Sequence, residues 1–185
     1  MPANQLPQAI ELSRFSVGSQ RESMKNVGPL VFRFETDFSE SLRCIPMAVR
    51  FKLDLAGIKL SLQQWSRFTH SDRQWLLGQP CDTSGEVAIY HGKLTAFIVQ
   101  RTGEAAKAVD AGEGVDWKAS RRVPDVVTTQ ARSKGMPGPT ADQWAKLDDL
   151  QRFALLKLTR EGHDNENFVP AMSEFSRGLQ PEDAP

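Results

Sequence analysis

The sequence predicts an all-α protein: two duplicated helix-turn-helix units around a central amphipathic helix, with flexible termini. Two observations support this fold class, namely residues that recur at a nearly constant spacing and helix-start signals that recur with them. The spacing is constant up to a shared glycine and larger by one beyond it, so a single inserted residue reconciles the matches. The matched residues are Pro46 and Pro124, Gly57 and Gly135, Trp65 and Trp144, and Arg73 and Arg152.

Helix-start chemistry repeats together with these residues. Ser61-x-x-Gln64 and Thr140-x-x-Gln143 are capping boxes, in which the hydroxyl and the amide satisfy free N–H groups at the start of a helix. Thr69-x-x-Asp72 and Asp148-x-x-Gln151 place a side-chain acceptor ahead of the next helix, at the same spacing as the capping boxes. We therefore expect the same succession of short helices in both units.

The start of the first unit is ambiguous when it is taken alone. Residues 49–55 alternate strictly between apolar and polar, which is typical of a β-strand. The matching stretch 126–134 has no such alternation, but it lies between a proline and a glycine. Helices favour proline at their first position and glycine just past their last. Because the first unit has both residues in the same places, we predict a helix in each unit.

Residues 29–176 are predicted to form a single helical domain. The repeated units, 45–77 and 123–158, each need a partner against which to bury an apolar face, and they can supply it to each other. Residues 1–28 are polar and show no sustained period, so we expect a disordered N-terminal tail. Residues 177–185 are expected to form a disordered C-terminal tail.

The clearest helix is predicted over residues 84–101, after the capping box Thr83-x-x-Glu86. Its apolar face, at 3.6-residue spacing, consists of Val87, Tyr90, Leu94, Phe97 and Ile98. Residues 104–122 are interpreted as a linker that Trp117 holds against the body of the protein. Ahead of the first unit, residues 31–35 are interpreted as a short extended segment.

Composition limits the possible partners. With 23 basic and 23 acidic residues, the chain has no net attraction to nucleic acid or to an anionic membrane. No run approaches the ~18 apolar residues of a membrane span, and the N-terminus does not resemble a signal peptide. We therefore expect a soluble, cytoplasmic protein that binds neither nucleic acid nor a membrane. A DNA-binding helix-turn-helix stays open as an alternative, although it lacks a basic recognition stripe.

Candidate reactive groups are few. Arg43 beside Cys44, and a helix start just after Cys81, would each favour a thiolate. The simpler interpretation is that both cysteines are buried structural thiols. The histidines are scattered and no pair of ligands has the short spacing of a zinc site, so we predict neither a metal nor a cofactor.

Two further groups of residues have a structural and a functional interpretation. Trp65 and Trp144 are expected to anchor the cores, with the arginines eight residues further on packed over the indole rings. The loop 163–167 is the densest group of hydrogen-bonding side chains. It is interpreted either as a helix cap followed by a solvated turn or as a recognition loop.

Four segments resemble the nitrate-reductase-associated protein family: 37–54, 57–60, 151–158 and 163–175. The resemblance extends over residues 32–175. It implies a small cytosolic helical protein that is needed for assembly or activity of the molybdenum-containing assimilatory nitrate reductase, through protein contact. The resemblance implies no catalytic residues.

The leading hypothesis is therefore a non-catalytic accessory factor that supports assembly, maturation or activity of nitrate reductase. Its partner-binding residues are predicted to be Arg43, Cys44, Pro46, His163, Asp164, Asn165 and Asn167. Trp65, Trp144, Arg73, Arg152, Gly57 and Gly135 are assigned structural roles. The alternative is a small carrier of a metal or cofactor that uses Cys44 and Cys81. The oligomeric state stays open.

Overall fold

The computed structural model describes residues 31–109, 116–160 and 166–177, which are mostly helical, as predicted. The first helices are α1 (Thr36–Ser39), α2 (Met47–Ala56), α3 (Leu62–Ser66), α4 (His70–Gly78) and α5 (Ser84–Thr102). They are followed by α6 (Asp125–Ser133), α7 (Ala141–Lys146), α8 (Asp149–Lys157) and α9 (Phe168–Arg177). The chain also forms 3-10 helices at Arg33–Glu35 and Asp116–Lys118 and two short strands, β1 (Ile58–Lys59) and β2 (Lys107–Ala108).

The predicted tails lie almost entirely outside the described residues. This holds for all of 1–28 and for 178–185, whereas position 177 is the last residue of α9. The disorder predicted for both tails therefore stays a prediction. The same is true of the single domain predicted over 29–176.

The two repeated units contain the same succession of helices, as predicted. Helix α2 corresponds to α6, α3 to α7 and α4 to α8. The predicted caps form in each case. Gln64 N–H lies 3.1 Å from the Ser61 hydroxyl, and Gln143 N–H lies 3.2 Å from the Thr140 hydroxyl. Asp148 accepts from Gln151 N–H at 2.7 Å. That the two units arose by duplication remains a prediction.

The choice of helix over hairpin is confirmed for residues 47–56, but the chain beyond them is not entirely helical. β1 pairs in antiparallel fashion with β2, with Ile58 opposite Ala108. Part of the predicted linker 104–122 is therefore a strand. The 3-10 helix at Asp116–Lys118 is a second ordered element in it.

Two details at the starts of elements differ from the sequence prediction. Pro46 and Pro124 were predicted to be the first residues of their helices. They are instead the N-caps of α2 and α6, so each helix begins one residue later. Within the segment predicted to be extended, Phe32 is extended but residues 33–35 are not. Arg33–Glu35 form a 3-10 helix because the Glu35 carboxylate accepts the Phe32 N–H at 3.2 Å.

Helix α5 matches its prediction closely. The Thr83 hydroxyl caps its start, and Gly103, with φ of 72°, ends it in the left-handed conformation. Of the five residues predicted on its inward face, Tyr90, Leu94, Phe97 and Ile98 are buried, and Val87 is half-buried against the same core. This face packs on α2, α3 and α4.

The buried side chains form two hydrophobic cores. The first core surrounds Trp65 and α5, and the second surrounds Trp144 and includes Phe168 of α9. Helix α2 contributes to both, because Val49 and Leu53 belong to the first core and Met47 belongs to the second. The Asp54 carboxylate also reaches Lys157 of α8, with Nζ 3.1 Å from Oδ2.

Gly57 and Gly78, at the ends of α2 and α4, test how the backbone conformation determines the effect of adding a side chain. Gly57 has φ of 66°, and a Cβ added there or at Gly78 would meet no atom within 4 Å. We expect Gly57→Ala to destabilise the protein by about 1 kcal/mol, because only its left-handed conformation opposes a side chain. Gly78→Ala, within a right-handed helix, should stabilise it by about 0.4–1 kcal/mol. Urea unfolding measures both, and equal effects would contradict this account.

Candidate functional site

The segment Leu42–Pro46, which we call the corner, connects α1 to α2. Leu42 has φ of 48°, a left-handed conformation that is uncommon and strained for a residue with a branched side chain. Its side chain is nevertheless only 2% exposed, and its N–H donates to Phe38 O at 2.7 Å. The surrounding structure therefore determines the conformation of the corner.

Trp65 and Arg73 hold the corner from the interior, and we call this pair the first clamp. Trp65 Nε1 donates to Leu42 O at 2.7 Å, and Arg73 Nη1 donates to the same oxygen at 3.3 Å. The guanidinium also binds Trp65 O and Ser66 O, and its central carbon lies 5.6 Å from the centre of the indole ring. The predicted packing of Arg73 over Trp65 is confirmed.

Trp144 and Arg152 form a second clamp in the other unit. Trp144 Nε1 donates to Ala119 O at 2.8 Å, and Arg152 Nε donates to Trp117 O at 2.8 Å. Arg152 also binds Leu147 O and the Asp149 carboxylate. Its guanidinium thus binds both backbone and carboxylate groups, and the packing of Arg152 over the Trp144 indole stays a prediction. Both tryptophans are fully buried, as predicted.

In each unit the clamp binds the backbone that precedes the first repeated helix. Trp117, which the second clamp holds, is 6% exposed, so its predicted anchoring role is confirmed. Each hydrogen bond from a neutral or charged donor to these carbonyl oxygens contributes about 0.5–3 kcal/mol net to the stability of the fold. The two clamps therefore fix two surface segments with the same chemistry.

The predicted corner residues differ in exposure. Arg43 is exposed and Cys44 is half-buried, so both are accessible to a partner. Pro46 is buried and caps α2. We therefore assign Pro46 to the support of the corner and Arg43 to its surface.

Glu35 is a buried titratable group beside the corner, and the sequence analysis missed it. Its Oε1 accepts Met47 N–H at 2.8 Å at the start of α2, and the residue is only 2% exposed. Burial raises the pKa of Glu35 from 4.5 to about 7, against the opposing effects of the amides of Met47 and Phe32 and of Arg50. Glu174 raises it further. The sequence carries no capping-box signal here, because Phe32 has no side-chain acceptor to complete the pair with Glu35.

The predicted loop 163–167 is only partly within the described residues. His163, Asp164 and Asn165 lie outside them, whereas Asn167 is half-buried just before α9. The last turn of α9 holds the segment ahead of the corner instead. Glu174 accepts Arg33 N–H at 3.0 Å and Phe34 N–H at 3.3 Å. At 1.5 Å per residue, Asn167 is about 10 Å along the axis from that contact.

The two cysteines differ in environment. Cys81 belongs to the first core, and burial raises its pKa to about 11, so its free thiol is protonated at neutral pH. Lys52, which opposes that shift, donates from Nζ to Leu77 O at 2.6 Å. Within residues 31–109, 116–160 and 166–177, no three His, Cys, Asp or Glu side chains are grouped as potential metal ligands.

A small cavity lies beside the second clamp, with a volume of about 240 Å³. Its lining includes Trp117, Val126, Phe153, Leu156 and Lys157. Small-molecule sites typically measure about 300–1,000 Å³, so this cavity is closer to the size of a single side chain. No local sequence signal marked it, because its walls come from residues that are distant in the sequence.

Glu35 provides a pH-dependent prediction. Between pH 4.5 and about 7 the folded protein keeps the proton that the unfolded chain has lost, so the stability should fall as pH rises through this range. The free energy of unfolding of the wild type should decrease by about 2–3 kcal/mol over this range. Glu35→Gln cannot ionise at this position, so its free energy of unfolding should lack this decrease. Urea unfolding of both proteins from pH 4.5 to 8 tests this. A constant difference between them across that range would contradict it.

No helix in the described parts of the chain combines the length and apolar character that a membrane span requires.

No curated protein matches this chain, and no solved structure does. A family model described as conserved nitrate reductase-associated protein matches residues 31–175, which include the corner and both clamps. The family resemblance seen in the sequence is thereby confirmed. Because this match covers most of the 185 residues, the chain belongs to the conserved nitrate reductase-associated protein family.

Proposed function

We propose that this protein is a non-catalytic accessory factor that supports assembly, maturation or activity of an assimilatory molybdenum nitrate reductase by direct contact. Membership of a family described as nitrate reductase-associated is the observation that carries the proposal. The same proposal assigns the protein to the cytoplasm, the compartment that the family resemblance implies. Its action is binding rather than catalysis of a reaction.

The corner is the first contact surface in this proposal. Arg43 is exposed next to Leu42, whose carbonyl is held by two side-chain donors. A backbone that is already ordered loses little conformational entropy on binding, so more of the contact energy contributes to affinity. Arginine is also one of the residues most often responsible for binding energy at interfaces. The clamp therefore supports Arg43 as a preorganised anchor.

The second contact surface is the loop from His163 to Asn167. Its side chains offer both donors and acceptors, which suits a polar interface. The loop follows α8 of the second clamp and leads into α9, whose Phe168 is fully buried. Rigid elements thus border the loop on both sides, as is common for recognition loops.

Co-purification with the reductase tests the assignment of Arg43. The tagged protein would be expressed in cells that contain the reductase, and the recovered reductase would be quantified. Arg43→Glu should reduce recovery at least about fivefold, which corresponds to ~1 kcal/mol of lost binding energy. His163→Ala tests the loop in the same assay, with reductase activity in the extract as a second readout.

Arg132→Glu is the matched control, because it makes the same charge reversal at an exposed position of α6. Circular dichroism of each variant checks that the fold is kept. Unchanged recovery and unchanged reductase activity with both Arg43→Glu and His163→Ala would show that these surfaces are wrong. If wild-type protein recovers no reductase at all, the proposed direct contact is wrong.

The carrier alternative, with Cys44 and Cys81 as ligands, stays a prediction. It requires a bound metal or chromophore in protein purified without oxygen. Elemental analysis and an absorption spectrum decide it, because a fully folded protein without either would eliminate that role. The Cys44→Ser variant separates the accessible cysteine from the buried one.

A further inference from the structure

Residues 31–41, which we call the latch, lead into the corner. They contain the 3-10 helix Arg33–Glu35 and helix α1. The 3-10 helix packs on α9, where the Phe32 ring lies 4.9 Å from the Phe175 ring, measured between centroids. Within the latch only Phe32 and Glu35 are buried. A segment with so few buried side chains opens at a lower free energy than the core of a protein.

Two carboxyl groups bind the backbone of the latch. Phe32 N–H donates to Glu35 Oε2 at 3.2 Å, and the next two amides donate to Glu174 of α9 at 3.0 and 3.3 Å. The other oxygen of Glu35 accepts the N–H of Met47, the first residue of α2 and the first residue after the corner. The two carboxyl groups therefore join the latch to α9 and to the start of α2.

The surroundings of Glu35 disfavour its ionised form. The residue is 2% exposed, and burial is the main influence on its pKa. Of the charged groups on the helices around it, Arg50 of α2 lowers this pKa and Glu174 of α9 raises it. Arg33 and Asp37, on the latch itself, are exposed. Burial outweighs Arg50 and the two bound amides, so a negative charge at Glu35 is unfavourable while the latch is closed.

We propose that the latch is a proton-controlled device that stays closed when Glu35 is protonated and opens more readily, with the first core intact, once Glu35 is ionised. Opening carries the Glu35 carboxylate into water, where its charge is hydrated. It also separates the latch from Glu174 and removes the acceptor of Met47 N–H at the start of α2. The attachment of the corner on this side therefore depends on pH in the isolated protein, whatever partner the corner binds.

The pH range of the device follows from the two states of Glu35. Its pKa is about 7 in the closed latch, and the ordinary value of 4.5 applies once the latch is open. Between these values the closed latch keeps a proton that the open latch has lost, so a rise in pH favours opening. The equilibrium constant for opening should increase by about 50-fold from pH 5 to pH 7.5 and level off above that range.

Hydrogen exchange of the full chain, followed by NMR from pH 5 to pH 7.5, tests the proposal. The amides of Phe32, Phe34 and Met47 report the opening, after correction for the intrinsic exchange rate at each pH. Their opening constant should rise about 50-fold across the range. They should also be less protected at every pH than the slowest amides of α5, which exchange only when the whole fold opens.

Three substitutions of glutamate by glutamine separate the device from a general loss of stability. Glu35→Gln cannot ionise, so its opening constant should be the same at pH 5 and pH 7.5. Glu174→Gln keeps an oxygen acceptor for the latch amides but removes the charge that raises the pKa of Glu35, so the increase should level off at a lower pH. Glu40→Gln is the matched control, because Glu40 is an exposed residue of the latch. It should keep the wild-type pH profile.

A wild-type opening constant that is equal at pH 5 and pH 7.5 would overturn the proposal. So would a wild-type pH profile in Glu35→Gln, or a lost profile in Glu40→Gln. Latch amides as strongly protected as the slowest amides of α5 would show that the segment opens only with the whole protein, and then no separate latch exists. If Glu35→Gln does not fold, the wild-type profile and the shift in Glu174→Gln still decide.

Discussion

Helix α2 lies between the two hydrophobic cores and packs side chains into both, and the remaining structure depends on this double burial. Val49, Leu53 and Ala56 follow helical spacing on the side of the first core. On the opposite side, Met47 enters the second core and Phe51 contacts aromatic rings. Phe51 lies 4.9 Å from the Trp117 ring and 5.2 Å from the Phe153 ring, measured between centroids.

The second side of α2 also includes an ion pair. Asp54 and Lys157 are separated by 103 residues in the sequence, and their side chains are only 17% and 16% exposed. Because both side chains are half-buried, loss of one partner would leave the other charge partly shielded from water and would destabilise the protein. The packing and the charge together fix α2 relative to α8. The corner at the start of α2 is therefore positioned by contacts with both units.

The helix caps could be predicted from the sequence because each of them involves residues three apart. Ser61 with Gln64 and Thr140 with Gln143 need no information about the rest of the fold. The apolar and polar alternation of residues 49–55 misleads when read alone, since it results from a helix buried on two opposite sides. That double burial depends on the second unit, which begins only after α5 and β2 in the chain. The matched stretch in the second unit still indicated a helix.

The features that the sequence did not predict arise from distant contacts. β1 forms only because residues 107–108 return to it, and no local pattern marks that pairing. The elevated pKa of Glu35 comes first from burial, which depends on how α2 and α9 enclose it. The partner-binding role of Arg43 was a hypothesis motivated by the family resemblance together with the absence of coherent catalytic groups. The structure adds its exposure and the fixed backbone beside it, and the role itself awaits the binding experiment.

Native-state hydrogen exchange of Leu53→Ala tests most directly whether α2 joins the two cores into one cooperative unit. Leu53 is 6% exposed in the first core, so its truncation should destabilise that core by about 2–5 kcal/mol. If α2 couples the cores, the slowest amides of α5 and of α8 should lose the same amount of protection. Wild-type protection in α8 together with reduced protection in α5 would show two independent units and contradict this account.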